Sequence, residues 1–377
     1  MIVAKYLVIG AGLSGAAIAW RLAQTGAEVA ILEQDLPASV QGSSHGSSRI
    51  FRYTHHEGRF TGLAKRARAG WEELEIESGN KIMHANGALD FGAACDIPAL
   101  ARALEAESIE HEVLSAAAAS QRWPTIRFDT DALWHPGAAV VDTEVGVWNM
   151  IGLAQGLGAQ LVTEFTVSSV ERTRTGYRVS AEDGRVAEGS EVIVATGGRL
   201  SELLRIAPVP RSLHAAIESI EVLQQHVFHF PYQKPIGWDE SLWPSVIHKA
   251  IGREIHSLPG RRDAGYAGQK IYQFNSGRAI GSAVRQDVFV DGHDRDHMAE
   301  YVERQFPGLG TEAYAEGHCM AANTPGGTLV LERDEGFTIV SPSASHGASL
   351  APLIGEFVAD LVRGNLVSDT LLRADQV

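Results

Sequence analysis

Tyr6-Leu7-Val8-Ile9-Gly10-Ala11-Gly12-Leu13-Ser14-Gly15, with the run that follows to Glu33, decides the fold. Tyr6–Ile9 is a short apolar run with β-branched residues, the pattern of a parallel strand buried on both faces. It leads directly into Gly10-x-Gly12-x-x-Gly15, and the small-residue run Ala16–Gln24 predicts a helix that stops at Gly26. Ala27–Leu32 is a second strand pattern, closed by Glu33. In such a unit Gly10 permits the tight turn, Gly12 lets the backbone approach a pyrophosphate, and Gly15 lets helix and strand pack closely. The helix N-terminus offers unpaired N–H groups and a positive dipole end to phosphates. Glu33 is placed to accept hydrogen bonds from a ribose hydroxyl. The motif therefore predicts a dinucleotide site and leaves open which dinucleotide.

The chain of 377 residues is long enough for two domains. A formal charge of −14 argues against nucleic acid or an anionic membrane surface as partner, and leaves room for a local basic pocket. Two cysteines, Cys95 and Cys319, make no disulfide framework and suggest a reducing compartment. The N-terminal strand is preceded by Lys5 and does not read as a signal peptide, and no apolar stretch approaches the roughly 18 residues of a membrane span. The expectation is a soluble, cytoplasmic monomer or small homo-oligomer that acts on a small molecule.

After Glu33 comes Gln41-Gly-Ser-Ser-His-Gly-Ser-Ser-Arg49-Ile-Phe-Arg52. Arg49 and Arg52 flank Ile50-Phe51, so at least one guanidinium is drawn inward, where it needs an anionic or π partner. Phe60–Ser78 is helical, with Trp71 on its apolar stripe. Gly87-Ala-Leu-Asp-Phe-Gly92 is a strand, Ile97–Glu107 a helix, and a loop opens at Gln121-Arg-Trp-Pro124. Thr143–Leu157 is a helix and Gly158–Val162 the strand after it. Val167–Val170, Tyr177–Ala181 and the stretch from Val186 are short antiparallel strands. Glu191–Val194 runs into Ala195-Thr196-Gly197-Gly198, a parallel strand returning to the nucleotide crevice. Residues 211–318 are strand-rich, with Trp238, Trp243 and several His, none of them at metal-binding spacing. Gly336–Val340 is a strand. A helix follows from about Leu350 to Arg363, with Pro352 in its first turn and Ile354, Phe357, Val358 and Leu361 facing inward. The first domain is therefore discontinuous.

Several segments together resemble one family, the FAD-dependent amine oxidases of the monomeric sarcosine oxidase and N-methyltryptophan oxidase type. They are GAGLSG with Glu33, SHGSSRIFR (44–52) followed by Glu57-Gly58-Arg59, GALDFG (87–92), RWP (122–124), ATGG (195–198), His318-Cys319-Met320 and Ser345-His346-Gly347. The order and spacing match over almost the full length, and the segment around Arg49 and Arg52 is the most specific. The resemblance implies an α/β protein. A discontinuous FAD-binding Rossmann-type domain (1–85, 143–210 and 320–377) joins a substrate domain with a large mixed β-sheet and helices (86–142 and 211–319).

It also implies the site. Gly10, Gly12, Leu13, Ser14, Gly15 and Glu33 would hold the ADP half of FAD, with Val167, Thr196 and Gly197 along the cofactor. Ser43, Ser44 and Arg49 would lie on its flavin side, Arg49 against one face of the ring. Cys319 matches the family cysteine joined covalently to the flavin, against the plainer reading of a small buried hydrophobe. His346, Gly347 and Ser349 would line the flavin and the substrate pocket, and Arg52 would reach a substrate carboxylate. Arg49, Arg52, His346 and Ser349 are the catalytic candidates. The implied activity is oxidation of a C–N bond in an amino acid or secondary amine, with hydride passing to the flavin, imine hydrolysis and reoxidation by O2 to give H2O2.

Three departures stand out. The family lysine that helps bind the substrate carboxylate falls at Ser349. Cys319 is followed by Met320-Ala-Ala-Asn323, with extra residues through Gly326-Gly327, where the family has an aromatic and a threonine. A second family lysine, concerned with oxygen, falls in 260–290, where Lys270, Arg278 and Arg285 are candidates. The substrate is then bulkier or less acidic than sarcosine. The rival readings are a dehydrogenase of an amine or hydroxy acid with another electron acceptor, a non-catalytic flavoprotein subunit, and a nicotinamide dehydrogenase.

Overall fold

The computed structural model describes residues 1–55, 58–217, 220–233, 243–263, 265, 267–280, 290–324, 327–341 and 346–365. Glu57, Trp238, Arg285, Gly326 and Ser345 lie outside the described residues.

The opening motif forms the centre of a six-stranded sheet. Its order is Gln160–Val162, Val29–Leu32, Tyr6–Ile9, Glu191–Val194, Phe337–Ser341 and Val330–Asp334. Pairing is parallel throughout except for the last hairpin. Both faces are covered, which is why these strands read as unbroken apolar runs. Tyr6, Val8, Ile31 and Ile193 turn towards the helices Leu13–Gln24, Thr143–Gly156 and Gly347–Val362. Leu7, Ile9, Ala30, Val192 and Val194 turn the other way, onto a four-stranded sheet. That small sheet has the order Ile2–Val3, Val186–Gly189, Tyr177–Ala181 and Val167–Arg172.

The second large layer is a nine-stranded mixed sheet. It runs from Arg278–Ala279 through Glu221–Pro231, Gly268–Gln273, Arg253–Pro259, Ser245–Ala250, Ala88–Phe91 and Ala132–His135 to Glu112–Leu114. Ala315–Asn323 also pairs with Glu221–Pro231. One face of this sheet is apolar: Phe228, Phe230, Val246, Ile255 and Ile271 pack with Met298, Tyr301 and Val302 of the helix Gly292–Gln305. A three-stranded sheet, Arg49–Phe51 with Ala139–Val141 and Met83–Ala85, bridges the layers.

Three local expectations are corrected. The stretch before Trp123 is a helix, Ala116–Arg122, capped by Ser115 Oγ, which accepts from the Ala118 N–H at 3.2 Å. The last helix begins at Gly347, so Pro352 sits inside it rather than in its first turn. The interior proline is accommodated by close helix packing: a Cβ on Gly70 would lie 2.6 Å from Pro352 Cβ. The strand Ala315–Asn323 stays in the large sheet beyond residue 319, because its pairing continues to Glu221↔Asn323. No helix among the described residues is long and apolar enough to cross a membrane.

Candidate active site

Gly10 takes a φ of +104°, and a Cβ there would lie 2.7 Å from the Ala195 carbonyl. Side chains are excluded on both counts, so the turn needs glycine. At Gly15 a Cβ would sit 1.9 Å from the Gly10 carbonyl oxygen, so the helix packs directly on the turn. Gly15→Ala is expected to displace that helix, cost about 1–3 kcal/mol of stability and weaken cofactor retention. Thermal unfolding and flavin content of the purified variant measure both effects.

The N-terminus at Gly12 has no side-chain cap of its own, and Ser44 Oγ accepts from the Leu13 N–H at 3.0 Å. Glu33 ends its strand beside it, with Oε2 accepting from the Ala11 N–H at 2.6 Å and Oε1 from the Asp35 N–H at 3.1 Å. Burial raises the Glu33 carboxyl above its ordinary value, opposed by these backbone donors.

From this turn a cavity of about 530 Å³ runs between the two large sheets, within the range of small-molecule sites. Its near end is lined by Gly10, Gly12, Leu13, Ser14 and Glu33, and its middle by Val167, Thr196, Gly197, Ser43 and Ser44. Arg49, Lys270, Tyr272, Cys319 and Gly347 line the far end. Fourteen residues singled out from the sequence, Lys270 among them, thus share one cavity wall. Gly15 lies beneath the turn instead, while Arg52, His346 and Ser349 stand behind the lining.

At the far end Arg49 donates to the carbonyls of Ser48 (3.0 Å) and Ser43 (3.2 Å). Ser43 in turn donates to the Met320 carbonyl at 2.9 Å, tying its loop to the strand of Cys319. Lys270 is buried, with Nζ 2.9 Å from Asp263 Oδ2 and 3.3 Å from the Ser48 carbonyl. Burial, then the Arg49 charge, depress Lys270 to about 8 against the pull of Asp263. Burial disfavours the Asp263 carboxylate, yet the Lys270 charge and hydrogen bond, with the Ser47 N–H, hold it well below the usual range. Of the three cations left open by the sequence, Arg278 lies in a groove on the opposite face of the sheet.

Behind Arg49 the large sheet turns an unusual face inward. Registers place Cys319 opposite Gln225, Tyr272 opposite His256, Glu254 opposite Lys249, and Ile247 beside Asp90. Since side chains alternate along strands, these residues share one face, opposite the apolar side. Against that face stands Arg52, 7% exposed. Its guanidinium lies 3.7 Å from Asp90 and 3.8 Å from Glu254, while Lys249 is 3.5 Å from Asp90. Thr54 Oγ1 donates to Asp90 at 2.7 Å. Two buried cations, Arg52 and Lys249, therefore face a buried carboxylate, Asp90, and a half-buried one, Glu254. Arg52 Nη1 and Asp90 Oδ1 nonetheless have no hydrogen-bond partner among the described residues.

His346 stacks on Phe60, with ring centroids 3.9 Å apart, and lies 5.0 Å from the His55 ring. Burial, aided by Arg52 and Arg59, pushes His346 down to about 3, so it is a neutral ring at the start of the last helix. Ser349 Oγ donates to the Ile50 carbonyl at 3.1 Å, and its own carbonyl accepts from Trp71 Nε1. One turn into the helix it faces the Arg49–Phe51 strand, and it pins helix to strand. Asp263, Glu254, His256, Tyr272 and Lys249 carry no motif and were missed, and Asp90 was passed over inside the GALDFG segment. The available signal was period-2 spacing, Glu254-x-His256 and Lys270-x-Tyr272-x-Phe274, of polar groups in strand patterns.

The model of the FAD dependent oxidoreductase family matches residues 5–361. The chain belongs to that family. It is 28% identical over 366 residues to the monomeric sarcosine oxidase of Streptomyces avermitilis, covering 94% of this chain and 92% of that protein. It is 24% identical over 363 residues to the N-methyl-L-tryptophan oxidase of Yersinia pestis, covering 94% and 93%. Among solved structures, NikD, an unusual amino acid oxidase essential for nikkomycin biosynthesis, superposes with a TM-score of 0.83 at 19% identity, covering 98% and 96%. This FAD-dependent oxidoreductase thus has the fold expected from its opening motif, with FAD as the dinucleotide.

Proposed function

We propose that this oxidoreductase oxidises a C–N bond in an amino acid or secondary N-methyl amine, with O2 as final acceptor and H2O2 as product. FAD, when bound, supplies the electron acceptor for the substrate carbon. The observation that best supports this reading is the far end of the cavity. There two cations, Arg49 and Lys270, and the Cys319 thiol close a space that begins at a glycine-led helix N-terminus, where only Ser44 from another segment caps the Leu13 N–H. That donor set fits FAD. N–H groups and the helix dipole at Gly12–Ser14 suit the pyrophosphate, Glu33 suits a ribose, and cations suit the ring end where charge accumulates on reduction. Thr196 Oγ1 and Gln225 Nε2, buried without partners among the described residues, face the same space.

In this reading Cys319 carries the flavin covalently, and Arg52 with His346 sets the polarity of the substrate side. Position and exclusion of water are the protein's contribution. With Cys95 and Cys319 unpaired, the enzyme is read as cytoplasmic. Acid precipitation checks the covalent link: yellow colour should stay in the pellet of the wild type and move to the supernatant for Cys319→Ala. Colour in the wild-type supernatant rejects it.

The function itself is tested anaerobically with sarcosine, N-methyl-L-tryptophan and N-methylbenzylamine. Bleaching of the flavin by at least one of them, and stoichiometric peroxide when air is admitted, is the expected result. A flavin that no amine bleaches rejects the reading. Bleaching without peroxide moves the enzyme to a dehydrogenase with another acceptor. The close pairing of Lys270 with Asp263 favours that second reading, because it neutralises the cation nearest the cavity end.

A further inference from the structure

Amine oxidation has a proton requirement that neither Arg52 nor Cys319 meets. An aliphatic amine is protonated at neutral pH, with a pKa of about 10. It has no nitrogen lone pair to drive electrons out of the C–H bond until that proton leaves. A group at the cavity must therefore receive it.

Three residues on the inward face of the large sheet form a chain that ends at the cavity. Glu254 Oε1 lies 2.6 Å from His256 Nε2, and His256 Nδ1 lies 3.1 Å from the Tyr272 hydroxyl. Strand register builds the chain, since His256 and Tyr272 are paired across antiparallel strands and Glu254 is two residues before His256. Phe274 stacks on the His256 ring at 4.9 Å, nearly parallel, and fixes its plane. Tyr272 and Phe274 both line the cavity.

The donor and acceptor roles are forced. Burial works against the Glu254 carboxylate, but the His256 hydrogen bond and the charges of Arg52 and Lys249 hold it well below the usual range, so it only accepts. His256 must then carry its hydrogen on Nε2, which leaves Nδ1 as an acceptor. The single hydroxyl proton of Tyr272 is committed to that nitrogen, and towards the cavity Tyr272 offers only lone pairs. A ligand that meets it must bring a donor.

We propose that Tyr272 takes the proton of the substrate's amine nitrogen, while its own hydroxyl proton moves to His256 and is balanced by Glu254. This rests on the amine-oxidising reading. In the step an N–H bond of the substrate ammonium breaks and an O–H bond forms on Tyr272. The former Tyr272 proton ends on His256 Nδ1, opposite the Glu254 carboxylate, and no electrons are transferred. The amine is left neutral. Tyr272 is the catalytic group, and His256 and Glu254 are positioning residues.

The surroundings are compatible with this division. From the sheet, Glu254, Lys249, Asp90, Lys270 and Cys319 face the chain, and Arg49 and Arg52 face it from the strand opposite. Lys270 is a poorer candidate, since its ammonium is held by Asp263 and the Ser48 carbonyl. Burial raises the Tyr272 phenol and lowers the His256 imidazole, so both stay neutral until an ammonium arrives.

The test is anaerobic flavin reduction against pH, with whichever of sarcosine, N-methyl-L-tryptophan and N-methylbenzylamine reduces the wild type fastest. Wild-type reduction should persist well below the amine's own pKa. In Tyr272→Phe the limb should move up to that pKa, with a loss of about 10²-fold near neutrality and recovery at alkaline pH. Glu254→Gln should move it in the same direction by less. A binding readout without turnover compares 2-aminoisobutyrate, which has no hydrogen on its α-carbon, with pivalate. Tyr272→Phe should weaken the amine about tenfold and leave pivalate unchanged.

An equal loss at every pH, or an unmoved limb in an enzyme that oxidises amines, overturns the assignment alone. A wild type that no amine reduces overturns the amine reading and this assignment with it. Should Tyr272→Phe fail to fold with flavin, an unmoved limb in Glu254→Gln is decisive against the proposal.

Discussion

Lys270→Met is expected to leave anaerobic reduction of the flavin largely intact and to slow its reoxidation by oxygen about 10²-fold or more. Dioxygen gains negative charge as it takes up electrons, and only a cation already in place stabilises that charge without reorganisation. Lys270 is the buried ammonium at the cavity end, and Arg49 is the cation beside it. The depressed value of about 8 sets the sign of the pH effect. The ammonium is present below that pH, so oxygen use is fastest there and falls as pH rises through it.

Stopped-flow mixing of the reduced enzyme with oxygen measures this step apart from substrate oxidation. Met leaves Asp263 without its closest cation, and an unpaired buried carboxylate is itself destabilising. The informative companion is therefore Asp263→Asn, which removes the pull that keeps Lys270 protonated and should move the fall in reoxidation to lower pH. Unchanged reoxidation in both variants removes Lys270 from the oxygen step and supports the dehydrogenase reading.

Arg52→Met should be the most damaging single change on the substrate side, in both activity and stability. The guanidinium stands 92–93% buried by contrast with ordinary surface arginines, 3.7 Å from Asp90 and 3.8 Å from Glu254. Breaking a buried ion pair by removing one partner costs about 3–5 kcal/mol, because the other charge stays behind uncompensated. Here Lys249 alone would face two carboxylates. Urea unfolding of the holoenzyme reads that loss.

Adding Glu254→Gln to Arg52→Met should recover part of the stability by removing the stranded charge, and recover none of the activity. Equal stability of the single variant and the wild type would show that the cluster is hydrated and Arg52 energetically idle. A charge-balanced cluster also weakens the pull on an incoming carboxylate. N-methyl amines without a carboxylate should therefore compete better here than a dedicated carboxylate clamp would allow, and their relative kcat/KM measures this.

The parts legible in the sequence share a property: their chemistry is local. Gly10, Gly12 and Gly15 lie within one turn and Glu33 closes the adjacent strand, so a single stretch of chain builds that end of the site. The apolar runs at Tyr6–Ile9, Val29–Leu32 and Glu191–Val194 announce strands covered on both faces. The segment around Arg49 and Arg52 was legible through resemblance, which had Arg52 reaching a substrate carboxylate; the structure puts Arg49 in the cavity wall and Arg52 behind it. Ser349 shows the limit of such transfer. The resemblance implies a substrate-binding lysine at its position, but its hydroxyl is tied to Ile50, and no spacing rule foretold that bond.

The sequence by itself determined the nucleotide-binding turn and the α/β class, because strand period, helix period and glycine geometry act over a few residues. Only the tertiary structure decided what faces the substrate side. Asp90, Lys249, Glu254, His256 and Tyr272 come from four strands of one sheet and meet through register, not through closeness in sequence. Each alone reads as an ordinary polar residue in a strand. Their character comes from burial on a shared face, where the dielectric is low and every charge must find its partner across strands.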